Sequence, residues 1–325
     1  KALNFYEKNI SENKFELGLG LFDTACLYYF QGRFSEAEPN YKRALEIFGK
    51  EHKKEDKSIA YALNNLGVIY AVQGKYDKSI QLFKQRLEIQ ERIFGKENFE
   101  IARSFINLAN ISLDFRNFSE SEAYAKKALE VYQKTLGEFH PENGKALNTL
   151  GNIYIEQGKY TEAQPYFERA KKIFEETYGD EHTEVAITLN NLAYLNYKLE
   201  KYNDALSLYQ KALAIYKEHM GPEHPNIANI IGNIALIYKI KKEYKESEEL
   251  FEQAISILLK TVGELNSDTA DTYEHYAKLL EEENNIEKAI EYYKKSLVSF
   301  EASLGLDHYR TIEMREKVKI LKALI

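Results

Sequence analysis

Apolar side chains recur along this chain at helical spacing, and short polar turns interrupt them at regular intervals. Before each turn the apolar residues fall at positions i, i+3, i+4 and i+7, which places them on one face of a helix. One such turn is Gln31-Gly32-Arg33-Phe34, and similar turns occur at Gln73-Gly74-Lys75-Tyr76 and Gln157-Gly158-Lys159-Tyr160. A second helical stretch follows each turn. The pattern therefore predicts a helix–turn–helix unit that repeats along the chain.

The period of this repeat is constant at 42 residues, because the turns fall at positions 32, 74, 116, 158, 200, 242 and 284 without insertion or deletion. Small residues recur at fixed positions in the second helix. A larger side chain there would overpack a close contact at a cost of ~1–3 kcal/mol, so the pattern predicts two closely packed helices per unit. One set is Ala37, Ser79, Ser121, Ala163, Ala205, Ser247 and Ala289, and the other is Ala44, Ala128, Ala170, Ala212, Ala254 and Ser296, interrupted by Arg86.

Signals for the start of the second helix accompany the turns. Ser35-x-x-Glu38, Ser119-x-x-Glu122 and Thr161-x-x-Gln164 are predicted to form capping boxes. Aromatic residues also follow the repeat, and we interpret most of the 25 Tyr and 17 Phe as core rather than as a ligand site. Those expected in the core are Phe34, Tyr76, Phe118, Tyr160, Tyr202 and Tyr244 at the turns, and Tyr41, Phe83, Phe167, Tyr209, Phe251 and Tyr293 in the second helices.

Composition narrows the class of protein. A chain of 325 residues is too long for one ordinary compact core, which favours a repeat array. The net charge of −7 argues against a nucleic-acid or membrane-surface partner, because those surfaces require clustered Lys and Arg. The single cysteine, Cys26, excludes a disulfide framework, indicates a reducing compartment and is expected to be a small apolar filler. No apolar run reaches ~18 residues, so we expect no membrane span and a cytoplasmic protein.

The first-helix motif Leu63-x-x-Leu66-Gly67-x-x-Tyr70 resembles the tetratricopeptide repeat. The 42-residue form, with Leu189-Asn190-Asn191-Leu192 in a first helix and Leu136-Gly137-Glu138-Phe139-His140-Pro141 between units, is similar to that of kinesin light chains and related bacterial arrays. This resemblance implies an all-α fold, a right-handed α-α superhelix (solenoid) of about seven helix-turn-helix repeats plus terminal helices. It also implies that the first helices line a concave groove.

We expect residues 1–325 to form a single solenoid. Residues 1–17 are predicted to be the second helix of a truncated preceding repeat, because Lys1-Ala2-Leu3 aligns with Arg43-Ala44-Leu45. Residues 18–309 are predicted to form seven repeats, and residues 310–325 a C-terminal capping helix. A chain that starts inside a helix indicates attachment to further domains in the full-length protein.

Asparagine is the notable residue of the stripe that faces the predicted groove, although it is a poorer helix former than Glu, Lys or Gln. A carboxamide offers a donor and an acceptor, which match the unpaired N–H and C=O groups of an extended peptide. The predicted peptide-binding residues are Tyr61, Asn64, Asn65, Arg103, Asn107, Asn110, Lys145, Asn148, Asn152, Asn190, Asn191, Tyr194, Asn229 and Asn233.

Two features of this stripe leave alternatives open. Asn65, Asn107, Asn191 and Asn233 could instead bond across neighbouring first helices and hold the pitch of the array, a role compatible with peptide binding. Arg103 and Lys145 could add charge-assisted bonds to acidic groups of a ligand. The C-terminal repeats reverse the sign of the stripe with Asp271, Glu274 and Glu282.

Motifs for catalysis are missing from the sequence: it has no Gly-x-Ser-x-Gly elbow, no phosphate-binding Gly-x-x-x-x-Gly-Lys-Ser/Thr loop and no His-Glu-x-x-His helix. Four histidines recur at the repeat spacing, which separates equivalent atoms by ~10 Å, too far to share one metal ion. We therefore expect no enzyme activity, no cofactor and no metal, and we interpret these histidines as caps of the connectors: His140, His182, His224 and His308.

The leading functional hypothesis is a protein–protein interaction scaffold that binds a peptide or protein segment in the groove of first helices. A second hypothesis is a regulatory or sensor repeat domain of a larger enzyme or signalling protein. A third is a self-assembling repeat module, which would use exposed apolar residues of the terminal helix, Leu321, Leu324 and Ile325.

Overall fold

The computed structural model describes residues 14–30, 33–50, 57–306 and 308–322; the predictions for residues 1–13 and 323–325 lie outside this range. The described residues form fifteen α-helices and no strand, and none of these helices is long and apolar enough to span a bilayer. The helices are α1 (Lys14–Phe30), α2 (Phe34–Lys50), α3 (Lys57–Val72), α4 (Tyr76–Phe94), α5 (Phe99–Asp114), α6 (Phe118–Leu136), α7 (Pro141–Glu156), α8 (Tyr160–Tyr178), α9 (Thr183–Lys198), α10 (Tyr202–Met220), α11 (Pro225–Ile240), α12 (Tyr244–Thr261), α13 (Ser267–Glu282), α14 (Ile286–Ser303) and α15 (Tyr309–Lys322).

The chain divides into two compact units, Lys1–Leu136 and Gly137–Ile325. The described part of the first unit contains the hairpins α1–α2, α3–α4 and α5–α6. The second unit contains α7–α8, α9–α10, α11–α12 and α13–α14, and α15 packs against α14. Within each unit, the second helix of a hairpin also packs against the first helix of the next hairpin. The predicted all-α repeat is therefore confirmed.

Two boundaries differ from those expected. Helix α1 begins at Lys14, so residues 14–17 belong to the first helix of the first hairpin rather than to a preceding unit. Helix α15 begins at Tyr309, one residue before the expected start of the capping helix.

The close approach of the two helices in each hairpin is confirmed, because every small residue of the two repeating sets has no exposed surface. Serine at these positions adds a hydrogen bond. The hydroxyl of Ser79 donates to the carbonyl oxygen of Gly67 at 2.8 Å, and the hydroxyl of Ser247 donates to that of Ala235 at 2.8 Å. A serine therefore fits the contact and also binds the two helices together.

The turn inside each hairpin depends on one residue in the left-handed region of backbone conformation. The six described turn positions have φ between 60° and 73°, although only two of them are glycine: Gly74, Arg116, Gly158, Glu200, Lys242 and Asn284. This residue ends the first helix. The N–H of the following residue then donates back to a carbonyl oxygen of that helix; the N–H of Lys159, for example, donates to the carbonyl oxygen of Tyr154 at 2.8 Å.

The predicted capping boxes do not fall at the helix starts, because α2, α6 and α8 begin one residue before Ser35, Ser119 and Thr161. Helix α8 begins at Tyr160, one residue before Thr161, and its N-cap residue Lys159 makes no side-chain capping bond. The hydroxyl of Thr161 donates to the carboxylate of Glu162 instead. The left-handed turn already directs the chain into the second helix, because the carbonyl oxygen of Lys159 accepts the N–H of Ala163 at 3.2 Å. The helix therefore starts without a side-chain cap.

The predicted core aromatic residues of the second helices are all fully buried, and those at the turns are partly buried. The expectation for the terminal helix is wrong at Leu321. That side chain is only 3% exposed and lies with Met314 and Val318 in the core cluster that also contains residues of α13 and α14. Leu321 is therefore part of the core, and it is not available as an exposed apolar contact.

Candidate functional site

The second unit contains a polar cavity of about 480 Å³, a size typical of ligand-binding pockets. Its walls come mainly from the first helices of successive hairpins and include four asparagines, and we call it the amide cavity. The lining residues are Glu156, Asn190, Asn191, Tyr194, Asn229, Gly232, Asn233, Phe251, Asp268, Asp271, Thr272, His275, Tyr309 and Arg310.

The amide cavity runs obliquely across the first helices. It starts at Glu156, the last residue of α7, and crosses the middle of α9 at Asn190 to Tyr194. It then crosses the first half of α11 and of α13, and it ends at the first two residues of α15. A ligand in this cavity would therefore contact several hairpins, as an extended chain does.

Five of the fourteen predicted binding residues line the amide cavity: Asn190, Asn191, Tyr194, Asn229 and Asn233. Asn191 and Asn233 make no hydrogen bond with other described residues. The Oδ1 atom of Asn190 is buried and has no hydrogen-bond partner in the described part of the chain. Asn229 Nδ2 donates a long bond of 3.4 Å to Asp268 Oδ2. Most of the donor and acceptor capacity of these carboxamides is therefore unused.

Three predicted residues of α7 do not line the amide cavity. Asn148 is buried, and its Nδ2 donates to the hydroxyl of Thr188 on α9 at 2.9 Å, which is a bond between neighbouring first helices. Lys145 is exposed and pairs with Glu142 at 2.9 Å. Asn152 is partly buried. The carboxamide of Asn148 therefore bonds across neighbouring first helices. The same role is the alternative that the sequence leaves open for other asparagines.

The predicted residues of the first unit also lie outside this cavity. Asn64 Nδ2 donates to Asn65 Oδ1 at 3.1 Å, and Asn65 Nδ2 donates to the hydroxyl of Tyr41 at 2.8 Å. Asn65 is thus bonded within the unit, to the second helix of the preceding hairpin. The other four are more open: Asn107 is partly buried, and Tyr61, Arg103 and Asn110 are exposed.

Arg310 compensates much of the acidic charge that the sequence places in the C-terminal repeats. Its guanidinium forms an ion pair with Asp271, and its Nη2 lies 2.9 Å from Glu274 Oε2. Glu282 pairs with Lys239 at 2.8 Å. All three predicted acidic residues of this stripe therefore have a cationic partner.

Burial shifts the pKa of two groups in the amide cavity. It raises the pKa of Asp271 to about 6, although the nearby charge of Arg310 acts in the opposite direction. It lowers the pKa of His275 to about 4, so the imidazole is neutral at pH 7. A neutral imidazole offers one donor and one acceptor. His275 therefore extends the polar, uncharged wall that the asparagines form.

Nine of the fourteen lining residues lie outside the predicted binding set, and for four of them the repeat register contains the signal. Gly232 stands 42 residues after Asn190, and His275 stands 42 residues after Asn233. Asp268 and Arg310 occupy the position that Glu184 holds in α9. Comparing each repeat position across the units would have identified these departures as site candidates.

The four repeated histidines are caps, as predicted. In each, Nδ1 accepts the N–H of the residue two positions later, at 3.3 Å for His140, 3.1 Å for His182, 3.2 Å for His224 and 3.3 Å for His308. Each bond satisfies an amide in the first turn of the helix that follows, which is a first helix for three of the histidines and the terminal helix α15 for His308. No cluster of His, Cys, Asp or Glu among the described residues is arranged to hold a metal ion.

Comparison with known protein families gives matches over most of the chain. The sequence pattern described as tetratricopeptide repeat matches residues 58–134, 100–175, 142–218, 186–260 and 226–302, and a second pattern with the same description matches residues 22–90. No curated protein sequence matches the chain.

Solved structures with the same type of fold are similar at low sequence identity. Aspartyl phosphate phosphatase F from Bacillus subtilis is 19% identical, with a TM-score of 0.68 over 90% of this chain and 71% of its own. A Rap protein complexed with competence and sporulation factor is 14% identical, with a TM-score of 0.58 over 94% of this chain and 99% of its own.

A third similar structure contains the nearly identical TPR-like repeats of a kinesin light chain-type protein from Podosopora anserina. It is 21% identical, with a TM-score of 0.54 over 64% of this chain and 99% of its own. The resemblance to kinesin light chain-like repeats, which the sequence motifs predicted, is confirmed.

Proposed function

Since the chain belongs to the tetratricopeptide repeat family, a family of protein-interaction scaffolds, we propose that it binds an extended peptide or protein segment in the amide cavity. The carboxamides of α9 and α11 would hold the main chain of that segment. Side chains of the segment would enter the space beside them.

The unused carboxamides carry this proposal. A buried acceptor without a hydrogen bond lowers the stability of a protein by about 1–3 kcal/mol. The Oδ1 atom of Asn190 therefore destabilises the free protein. A rotation of the side-chain amide of Asn190, which is partly exposed, would turn this oxygen toward the cavity, where the N–H group of an extended peptide would satisfy it. Asn191 and Asn233 offer further donors and acceptors in the same cavity. A ligand with alternating N–H and C=O groups matches this arrangement.

A similar structure supports the same idea at the level of the fold. The Rap protein of similar fold was solved in complex with competence and sporulation factor. At 14% identity this likeness concerns the fold alone. It supports a binding role for this kind of array and leaves the identity of the ligand to the chemistry of the amide cavity.

We also propose that the chain acts by binding rather than by catalysis. The lining residues include no serine or cysteine that could serve as a nucleophile. Asp271 and Glu274 are paired with Arg310, and no carboxylate of the described residues is hydrogen-bonded to the ring of His275. These groups therefore lack the paired geometry of an acid–base site.

A display library of random linear peptides tests the binding proposal. Peptides are selected on the immobilised wild-type chain and then titrated against the variant Asn190→Ala/Asn191→Ala/Asn233→Ala. We expect their affinity to fall at least about tenfold, because several hydrogen bonds of about 1 kcal/mol each are lost.

The matched control is Asn203→Ala, which removes an exposed carboxamide of α10 in the same unit. Circular dichroism would establish that both variants remain helical. Selected peptides that bind the triple variant as tightly as the wild type would contradict the proposed function.

A further inference from the structure

Gly232 is a glycine that no packing contact of the described chain requires. It lies in the middle of α11, where glycine is less favourable than alanine. An added Cβ at Gly232 would meet no atom within 4 Å, whereas one at Gly67, Gly144 or Gly151 would lie within 2.6 Å of a phenylalanine ring. Those three glycines are explained by helix packing, and Gly232 is not.

Its position in the repeat shows what Gly232 replaces. The equivalent positions in α7 and α9 hold Asn148 and Asn190, which stand 84 and 42 residues earlier. Where the two preceding first helices carry a carboxamide, α11 has no side chain at all. The wall of the amide cavity is therefore recessed at this point: Gly232 has little exposed surface of its own, but the space that a side chain would occupy there is open.

The charges around this recess are mainly negative. Three carboxylates line the amide cavity, namely Glu156, Asp268 and Asp271, and Arg310 is the one cation among the lining residues. Arg310 is already paired with Asp271 and Glu274. Glu156 has no ion pair or side-chain hydrogen bond with other described residues, and the carboxylate of Asp268 accepts only the long bond from Asn229. Two carboxylates thus lack a cationic partner.

Asp268 is the carboxylate next to the recess. Its Oδ2 lies 3.4 Å from Nδ2 of Asn229, and Asn229 precedes Gly232 by about one helical turn on the same helix. A ligand side chain that lies over Gly232 would therefore reach Asp268 with its end. An ammonium or guanidinium group at that end would bond to the carboxylate and to nearby amide oxygens. A carboxylate would be repelled.

We propose that the recess at Gly232 selects a segment with a lysine or arginine side chain, whose cationic group pairs with Asp268. This inference rests on the proposed peptide-binding function and adds the charge of the residue that is recognised. Glu156, at the other end of the amide cavity, favours further positive charge in the same ligand.

Peptides selected from the random linear library provide the first test. We expect them to be enriched in Lys or Arg, and a Lys→Gln or Arg→Gln change at the enriched position should weaken binding about tenfold. Asp268→Asn should weaken the cationic peptide by a similar factor and leave its Gln version unchanged. The matched control is Glu287→Gln, an exposed carboxylate of α14 outside the cavity.

Gly232→Leu supplies an independent test, because it fills the recess from the wall. We expect this variant to remain helical and to lose affinity for the selected peptides, since the added Cβ meets open space in the free protein and the rest of the side chain extends into the recess.

The possible results separate the two proposals. Neutral or acidic selected peptides that still depend on Asn190, Asn191 and Asn233 would overturn the charge inference alone. Peptides that ignore those asparagines would overturn the proposed function itself. Unchanged binding to both Asp268→Asn and Gly232→Leu would show that the recess is not the recognition point.

Discussion

Helices α7 and α11 of the second unit both contain interior glycines, but the surroundings of those glycines differ. In α7, a Cβ added at Gly151 would lie 2.5 Å from ring atoms of Phe167. In α11, a Cβ added at Gly232 would meet nothing within 4 Å. Gly151 occupies the position that Gly67 holds in the first-helix motif of α3, whereas Gly232 occupies a position held by asparagine in α7 and α9. The same residue type therefore marks the core in one helix and the candidate site in the other.

Substitution of Gly151 by alanine should have the largest effect on stability. The new methyl group would overlap Phe167, and we expect the free energy of unfolding to fall by ~1–3 kcal/mol. Urea unfolding followed by circular dichroism measures this change. An unchanged urea midpoint for Gly151→Ala would remove the packing explanation for the glycines of α7 and with it the contrast to α11.

Acid stability tests whether the His275 side chain in the amide cavity is shielded from water. The pKa of His275 is lowered to about 4, so the folded state binds fewer protons than the unfolded state between pH 6.5 and about 4. The contribution of His275 to stability is therefore present above pH 6.5 and is lost as the pH falls toward 4. At pH 5 the loss is about 2 kcal/mol, and we expect His275→Gln to avoid it.

The raised pKa of Asp271 acts in the opposite direction, since its protonated form is favoured in the folded state below about pH 6. The wild type and His275→Gln share the effect of Asp271. The free energy of unfolding of these two proteins should therefore be compared at pH 5 and pH 8. A parallel loss of stability in the two proteins on acidification would indicate that His275 is well hydrated.

Substitution of Gly232 by alanine should have the smallest effect, and in the opposite direction from Gly151→Ala. Because the new methyl group enters open space, we expect only the gain in helix propensity, about 0.5–1 kcal/mol of added stability. The same urea titration measures it. A destabilised Gly232→Ala would mean that the recess has a structural role, and the two glycines would then belong to one class.

The repeat and its core were predictable from the sequence because the same residue type meets the same neighbour in every unit. Ala163 and Tyr209, for example, are fully buried for reasons visible in the period alone. The helix starts were less predictable. A left-handed residue such as Glu200 directs the chain into the next helix, and this turn geometry makes a serine or threonine cap unnecessary.

The candidate site was only partly predictable, because the role of each asparagine depends on its neighbours. Asn148 meets the hydroxyl of Thr188 and Asn65 meets that of Tyr41, so both are bonded within the fold. Asn191 and Asn233 meet no such partner and face the cavity. The contribution of Arg310 was missed because the terminal helix was predicted only as a cap, although Arg310 holds the repeat position of Glu184.

The histidine caps fix a tautomer in each connector. An imidazole whose Nδ1 accepts a backbone amide must carry its proton on Nε2. The ring nitrogens of His140, His182, His224 and His308 should therefore give the same pattern of ¹⁵N chemical shifts while each cap is intact. The ¹⁵N signal of each histidine would then report whether its own connector has begun to unfold.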